Sequence, residues 1–271
     1  MNRVLKITLA YDGTAYVGWQ RQASGVSIQS LLEGAMARLE GAPVVVHGAG
    51  RTDAGVHAFG QVASARVSTP HDVAVILRAL NGMLPPDVRV VGVEDAVADF
   101  HARFSASGKT YEYRIWQGDV QPPLARTWSW HVPRALDVDA MDGAARTLEG
   151  RHDFAAFQSS GSDVANSTRT VTSARVRSVP ASPSFTIEPA DAPAAGISGR
   201  LVVLRLEADG FLRHMVRAVA GTLVEIGEGR REPGSMAELL AGRDRAAAGA
   251  TAPAHGLVLV RVAYAASPGA R

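Results

Sequence analysis

No cysteine occurs among the 271 residues. Its absence excludes disulfides, thiolate-bound zinc, iron–sulfur clusters and cysteine nucleophiles together, and it suits a redox-indifferent cytoplasmic protein. Lysine is nearly missing too: Lys6 and Lys109 stand alone, so arginine carries most of the 28 basic side chains. A dominant charge is also lacking, because the net charge is only +2. No global basic field therefore exists. The arginines fit either RNA or phosphate binding or a codon bias that also favours alanine and glycine, and composition does not choose between them. No run of 18 apolar residues occurs, so no transmembrane helix is expected. The opening Met1-Asn2-Arg3-Val4-Leu5-Lys6-Ile7 breaks its apolar run with a lysine and has no small-residue cleavage site, so no signal peptide is expected.

What is present is an ordinary soluble composition, 46% hydrophobic and 20% charged, in a chain long enough for about two domains. Alternating apolar residues predict strands at 4–11, 44–47, 58–67, 88–93, 109–117, 128–132, 170–179, 201–208 and 257–265. Helical spacing predicts helices at 27–39, 72–84, 139–148, 211–226 and a short one at 236–240. Ser27 and Asp72 read as N-caps, and Pro85-Pro86 as a stop. Strands outnumber a strict βαβ alternation, which favours antiparallel or mixed sheets with helices on one face. Two halves are expected, 1–105 and 106–268. Residues 180–199, rich in Pro, Ala and Ser, read as a surface insertion in the second half.

The most unusual stretch runs from Val44 through Gly48-Ala49-Gly50-Arg51-Thr52-Asp53-Ala54-Gly55-Val56-His57 to Ala58. A dinucleotide fingerprint fails here, because Asp53 occupies its third glycine position and a strand follows instead of a helix. A phosphate-binding Walker loop fails for want of Gly-Lys-Ser/Thr. What remains is one carboxylate, Asp53, held among glycines beside Arg51. That arrangement suits a nucleophile or base that stays ionised when substrate removes water. Taken by itself, the Arg-Thr-Asp triplet reads more readily as a tight turn in which Asp53 caps backbone amides. His47 and His57 suggest a metal, but neither metalloprotease spacing nor a third ligand is evident.

Gly50-Arg51-Thr52-Asp53-Ala54-Gly55-Val56-His57 closely resembles the active-site motif of the tRNA pseudouridine synthase A family. Other blocks resemble that family in the same order. They are Tyr11-Asp12-Gly13-Thr14 with Gly18-Trp19-Gln20-Arg21-Gln22, then Phe100-His101-Ala102-Arg103-Phe104-Ser105-Ala106 leading into Lys109-Thr110-Tyr111-Glu112-Tyr113-Arg114. Gly150-Arg151-His152-Asp153-Phe154, Arg169-Thr170-Val171 and Phe211-Leu212-Arg213-His214-Met215-Val216-Arg217 complete the series.

The resemblance implies isomerisation of uridine to pseudouridine at tRNA positions 38, 39 and 40 of the anticodon arm, by base flipping, with no cofactor and no metal. It implies an α+β fold of two similar α/β halves, with mostly antiparallel sheets backed by helices and a central active-site cleft. It also implies a homodimer whose tRNA contacts span both subunits. Asp53 matches the essential aspartate. Tyr111 matches the tyrosine that stacks on the flipped uracil, although by pattern alone it reads as a core aromatic beside Tyr113. Arg217 matches a basic residue paired with the aspartate, and Arg51 is expected to contact phosphate or fill the space left by the flipped base. His57 and His214 are expected to be structural or RNA-facing. Arg51, Arg66, Arg103, Arg114, Arg169, Arg213 and Arg217 are expected to form a local patch that releases counterions from tRNA phosphates. A non-catalytic RNA-binding module and a nucleosidase are the competing classes. The first does not need Asp53 together with Tyr111 and Arg217, and the second needs another catalytic acid that the sequence does not identify.

Overall fold

Strand β1, Arg3–Tyr11, shows how the apolar pattern becomes a core. Leu5, Ile7 and Leu9 are fully buried, each worth roughly 1.5–3 kcal/mol of transfer free energy. β1 lies between two antiparallel partners, with Ile7 opposite Ala63 of β3 (His57–Val67) on one side and Val93 of β4 (Val88–Ala96) on the other. The computed structural model describes residues 3–159, 166–179 and 198–265.

The chain forms two compact units. The first runs through Lys109 and takes the chain back from Val258 onward; the second is Thr110–Leu257. In the first, the strand order is β4-β1-β3-β10, with β2 (Val46–Gly48) also paired to β3 and β10 being Leu257–Tyr264. β10 lies parallel to β3, Val258 opposite His57. In the second, the order is β5-β9-β8-β7, with β6 on β5. These strands are β5 Ala106–Gln117, β6 Trp130–Val132, β7 Gly150–Asp153, β8 Thr168–Val179 and β9 Arg200–Ala208. The architecture is α+β, with mostly antiparallel strands and, among the described residues, five α-helices.

The sequence division at residue 105 keeps the last strand in the second half, whereas the folded chain returns it to the first. Partner choice by a strand is non-local, and no residue in β10 announces β3 as its neighbour. Of the insertion expected at 180–199, residues 180–197 lie outside the described residues. Its flanks, β8 and β9, pair antiparallel with Val179 opposite Leu201.

Local chemistry explains the helix boundaries. Helix α1, Ile28–Glu40, begins at Ser27, whose hydroxyl accepts from Ser30 N at 3.1 Å while Ser30 Oγ accepts from Ser27 N at 3.2 Å. This reciprocal cap satisfies two donors that a helix start otherwise orphans. Helix α2, Val73–Met83, departs from expectation. Asp72 holds the N-cap position, but its side chain caps nothing; its carbonyl instead accepts from Val75 N and Ile76 N at 2.9 and 3.0 Å. Leu84 then turns extended before Pro85, as a residue preceding proline must. Helix α3, Val138–Arg146, starts one residue earlier than expected, with Asp137 capping it through Ala140 N. Helix α4, Met215–Gly227, begins four residues later than the apolar spacing suggests. His214 at its start has φ 62°, a left-handed conformation that ends any helix running in from Phe211. Helix α5 is Ser235–Gly242.

Glu40 ties the end of α1 to the chain leaving β3. Its carboxylate accepts from Ser68 N, Ser68 Oγ and Thr69 N at 2.8, 2.8 and 2.9 Å. Burial by itself pushes this carboxyl up, but those hydrogen bonds and the Arg3 charge outweigh it and hold the group below its ordinary 4.5. A lowered folded value means the contribution is complete above that pH and is lost as acid drives the pH down through the folded value. Glu40→Gln is therefore expected to lower the urea midpoint at pH 7, and to lower it by less at pH 3. An equal offset at both pH values would contradict the assignment.

Candidate active site

The loop of residues 49–56 leaves β2 and enters β3, and the N-terminal segment of the same unit holds it from one side. Ala49 N donates to Val62 O at 2.8 Å, and Gln61 Nε2 donates to Gly50 O at 2.9 Å. Trp19 N donates to Thr52 O at 3.0 Å, and the Tyr11 hydroxyl meets Thr52 Oγ1 at 2.9 Å. Val56 N closes the turn onto Asp53 O at 3.1 Å, and Gly55 N reaches Tyr16 O at 3.4 Å. Thr52 is buried at 6% exposure, while Arg51 before it is exposed and Asp53 after it is half-buried. The anchored threonine thus fixes the backbone from which both charged neighbours extend.

Burial pushes the Tyr11 phenol up to about 12, against the opposing hydrogen bonds of Thr52 and Gln61. It therefore stays a neutral hydrogen-bonding group at neutral pH. On the next turn, Asp12 accepts from Thr14 N and Thr14 Oγ1 at 2.9 and 2.5 Å and lies 3.1 Å from His57 Nδ1. Burial would raise its carboxyl, but the hydrogen bonds from Thr14 outweigh it and hold the group below the usual range. His57 is buried, and its Nδ1 accepts from Gly13 N at 3.0 Å. The histidine therefore fastens the Asp12–Gly13 turn to the start of β3.

Two glycines are required by this packing. Gly18 has φ +101°, and a Cβ there would lie 2.4 Å from Thr52 O. A Cβ on Gly13 would lie 2.0 Å from Val56 O. The Tyr11-Asp12-Gly13-Thr14 and Gly18-Trp19 blocks are thus the clamp on the Asp53 loop, a role that no local spacing reveals.

In the second unit, Tyr111 lies on β5 at 7% exposure with its ring edge-on to Phe211, centroids 5.1 Å apart. Tyr113 is fully buried and donates to Pro253 O at 2.7 Å. Burial raises its phenol well above the ordinary range. Arg217 is half-buried on α4; its Nε donates to Ala252 O at 2.8 Å, and Ala252 N donates back to Arg217 O at 3.1 Å. This is not the solvated arginine of a surface helix. Of the expected sites, Asp53 and Arg51 share one loop of the first unit, and Tyr111 and Arg217 belong to the second.

The arginines expected as one patch divide by environment. Arg51, Arg66, Arg103 and Arg213 are exposed. Arg114 pairs with Glu112 at 3.3 Å and lies over the Trp128 ring, and Arg169 donates to Asn166 O and Thr168 O. Among the described residues, no three His, Asp or Glu side chains gather as a metal site, and no helix is long and apolar enough to cross a membrane.

The family described as "tRNA pseudouridine synthase" matches residues 7–105 and 144–265, which include Arg51, Asp53 and Arg217. The chain belongs to the tRNA pseudouridine synthase family. It is 45% identical to a tRNA pseudouridine synthase A of Myxococcus xanthus over 267 residues, covering 98% of this chain and 94% of that one. It is 44% identical to the synthase of the same name from Syntrophotalea carbinolica over 262 residues, covering 97% and 96%. As a tRNA pseudouridine synthase, the protein is an isomerase that converts uridine to pseudouridine in tRNA. Tyr111 falls between the two matched stretches.

Gly18→Ala is expected to cost about 1–3 kcal/mol of stability through backbone strain and to cut turnover of tRNA by about 100-fold as the loop shifts. Gly34→Ala, where a Cβ meets nothing within 4 Å, serves as the control and should leave turnover unchanged. Comparable kinetics for the two variants would refute the clamp.

Proposed function

We propose that the synthase modifies positions 38, 39 and 40 in the anticodon stem-loop of tRNA, using Asp53 as its essential aspartate on a flipped-out uridine. The reaction breaks the C1′–N1 glycosidic bond, turns the uracil and joins C1′ to C5. An ionised carboxylate serves either by attacking the sugar or base or by assisting glycal formation. The observation that carries the reading is the half-buried Asp53 between a buried, doubly anchored Thr52 and a closed turn.

Tyr111, Arg51 and Arg217 bind the substrate in this reading. Tyr111 supplies an aromatic ring to the uracil, Arg51 extends from the loop toward phosphate or the vacated base position, and Arg217 supplies cationic charge from a half-buried, anchored guanidinium. The 45% identity to the Myxococcus xanthus synthase supports the substrate class. A homodimer acting in the cytoplasm completes the proposal, by family likeness.

Asp53→Asn keeps size and hydrogen-bonding capacity but removes the ionised oxygen. Release of hydrogen from uracil C5 in labelled tRNA is expected to fall to background. Affinity for tRNA should stay within about tenfold, because flipping and phosphate contacts draw on other groups. Turnover by the variant, or binding lost together with turnover, contradicts the assignment. Mapping pseudouridine in undermodified tRNA checks the positions.

A further inference from the structure

One block of the sequence is left without a role by the reaction: Phe100 to Ala106. Its chain forms a turn leading into β5, and that turn is held rigidly. Ala102 is fully buried; its N donates to Ser64 Oγ at 3.1 Å, and its carbonyl accepts from the Tyr264 hydroxyl at 2.8 Å. Ser105 N donates to His101 O at 2.9 Å, and His101 N donates to Ser105 Oγ at 3.1 Å. His101 Nδ1 accepts from Arg103 N at 3.1 Å and from Phe104 N at 3.4 Å, so that nitrogen carries no proton. Burial, and then the charge of His47, hold the imidazole below its usual value, which leaves a neutral aromatic ring.

On this rigid turn the side chains form a continuous aromatic surface. His47, on β2, lies 4.8 Å from His101 between ring centroids, and His101 lies 4.4 Å from Phe104. Phe104 is 77% exposed, and the Arg103 guanidinium sits 5.7 Å from its ring centroid. A lone exposed phenylalanine needs no explanation. Three rings in contact, carried by a fixed turn and bordered by an exposed arginine, do need one. The surface belongs to the same unit as the Asp53 loop, and β2 passes from His47 directly into that loop.

We infer that Phe104, backed by His101 and His47, is a stacking platform for an unpaired tRNA base other than the reacting uridine, with Arg103 taking the neighbouring phosphate. Single-stranded RNA is bound in this way, by aromatic rings that accept any base face and by arginines that neutralise the backbone. The inference rests on the proposed role of the Asp53 loop only for which part of the tRNA arrives there.

The test is tRNA affinity and steady-state kinetics for Phe104→Ala and Phe104→Trp, with Asp53→Asn measured beside them. Because Phe104 is exposed, neither of its variants threatens the fold. Phe104→Ala is expected to weaken the tRNA Kd and raise KM by roughly 5- to 150-fold, with kcat at saturating tRNA unchanged. Phe104→Trp, which keeps a stacking face, should restore affinity to within about threefold. An unchanged Kd for Phe104→Ala, or equal losses for both variants, overturns the platform. So does a shift in sedimentation of Phe104→Ala, which would assign the surface to contact between copies of the chain. Turnover by Asp53→Asn would remove the catalytic reading while leaving the Phe104 affinities to stand or fall on their own.

Discussion

The pairing of the Tyr11 hydroxyl with Thr52 Oγ1 is the contact on which the Asp53 loop depends. Both groups are buried, and Gln61 Nε2 also reaches Tyr11 at 3.4 Å while holding Gly50 O. A neutral hydrogen bond contributes only about 1 kcal/mol net, but orphaning its buried partners costs roughly 1–3 kcal/mol each. The loop therefore has one low-energy seat. Glycines permit that seat by removing side chains from the approach of Gly13 and Gly18 to the loop backbone. Flexibility in the sequence thus serves rigidity in the fold.

Charge is organised by the same economy. A net charge of +2 does not attract tRNA over long distances. Several arginines also have structural duties: Arg205 bonds Glu112 and Glu207, Arg175 pairs with Glu149, and Arg217 reaches Ala252 O. Arg51, Arg66, Arg103 and Arg213 are exposed, Arg66 while donating to Ala98 O. Guanidinium suits both tasks, because its planar fork serves a carbonyl or carboxylate inside and a phosphate or base outside. The scarcity of lysine is thus compatible with RNA binding and with an arginine-rich framework.

Much of the fold was legible because its signals are local. Ser27 followed by Ser30, with apolar residues at helical spacing behind them, specifies α1 and its cap. The alternation from Val4 to Tyr11 specifies a strand buried on one face. The misplaced start of α4 shows where locality ends: Phe211 and Leu212 continue the apolar spacing, yet His214 in the left-handed region begins the helix only at Met215. Asp72 likewise sits where a cap belongs, but its side chain makes no capping hydrogen bond.

The sequence by itself determined the element types, the loop that carries Asp53 and the family, because side-chain periodicity and a contiguous motif need no partner to be read. Only the tertiary structure decided that Tyr11, Gly13, Gly18 and Trp19 are the clamp on that loop, and that β10 returns to lie beside β3. It also decided that the His47 ring, far away in sequence, packs against His101. Those facts are distances between residues dozens to hundreds of positions apart. They are set by which buried polar groups and apolar faces find one another when the chain closes, a competition that no window of neighbouring residues records.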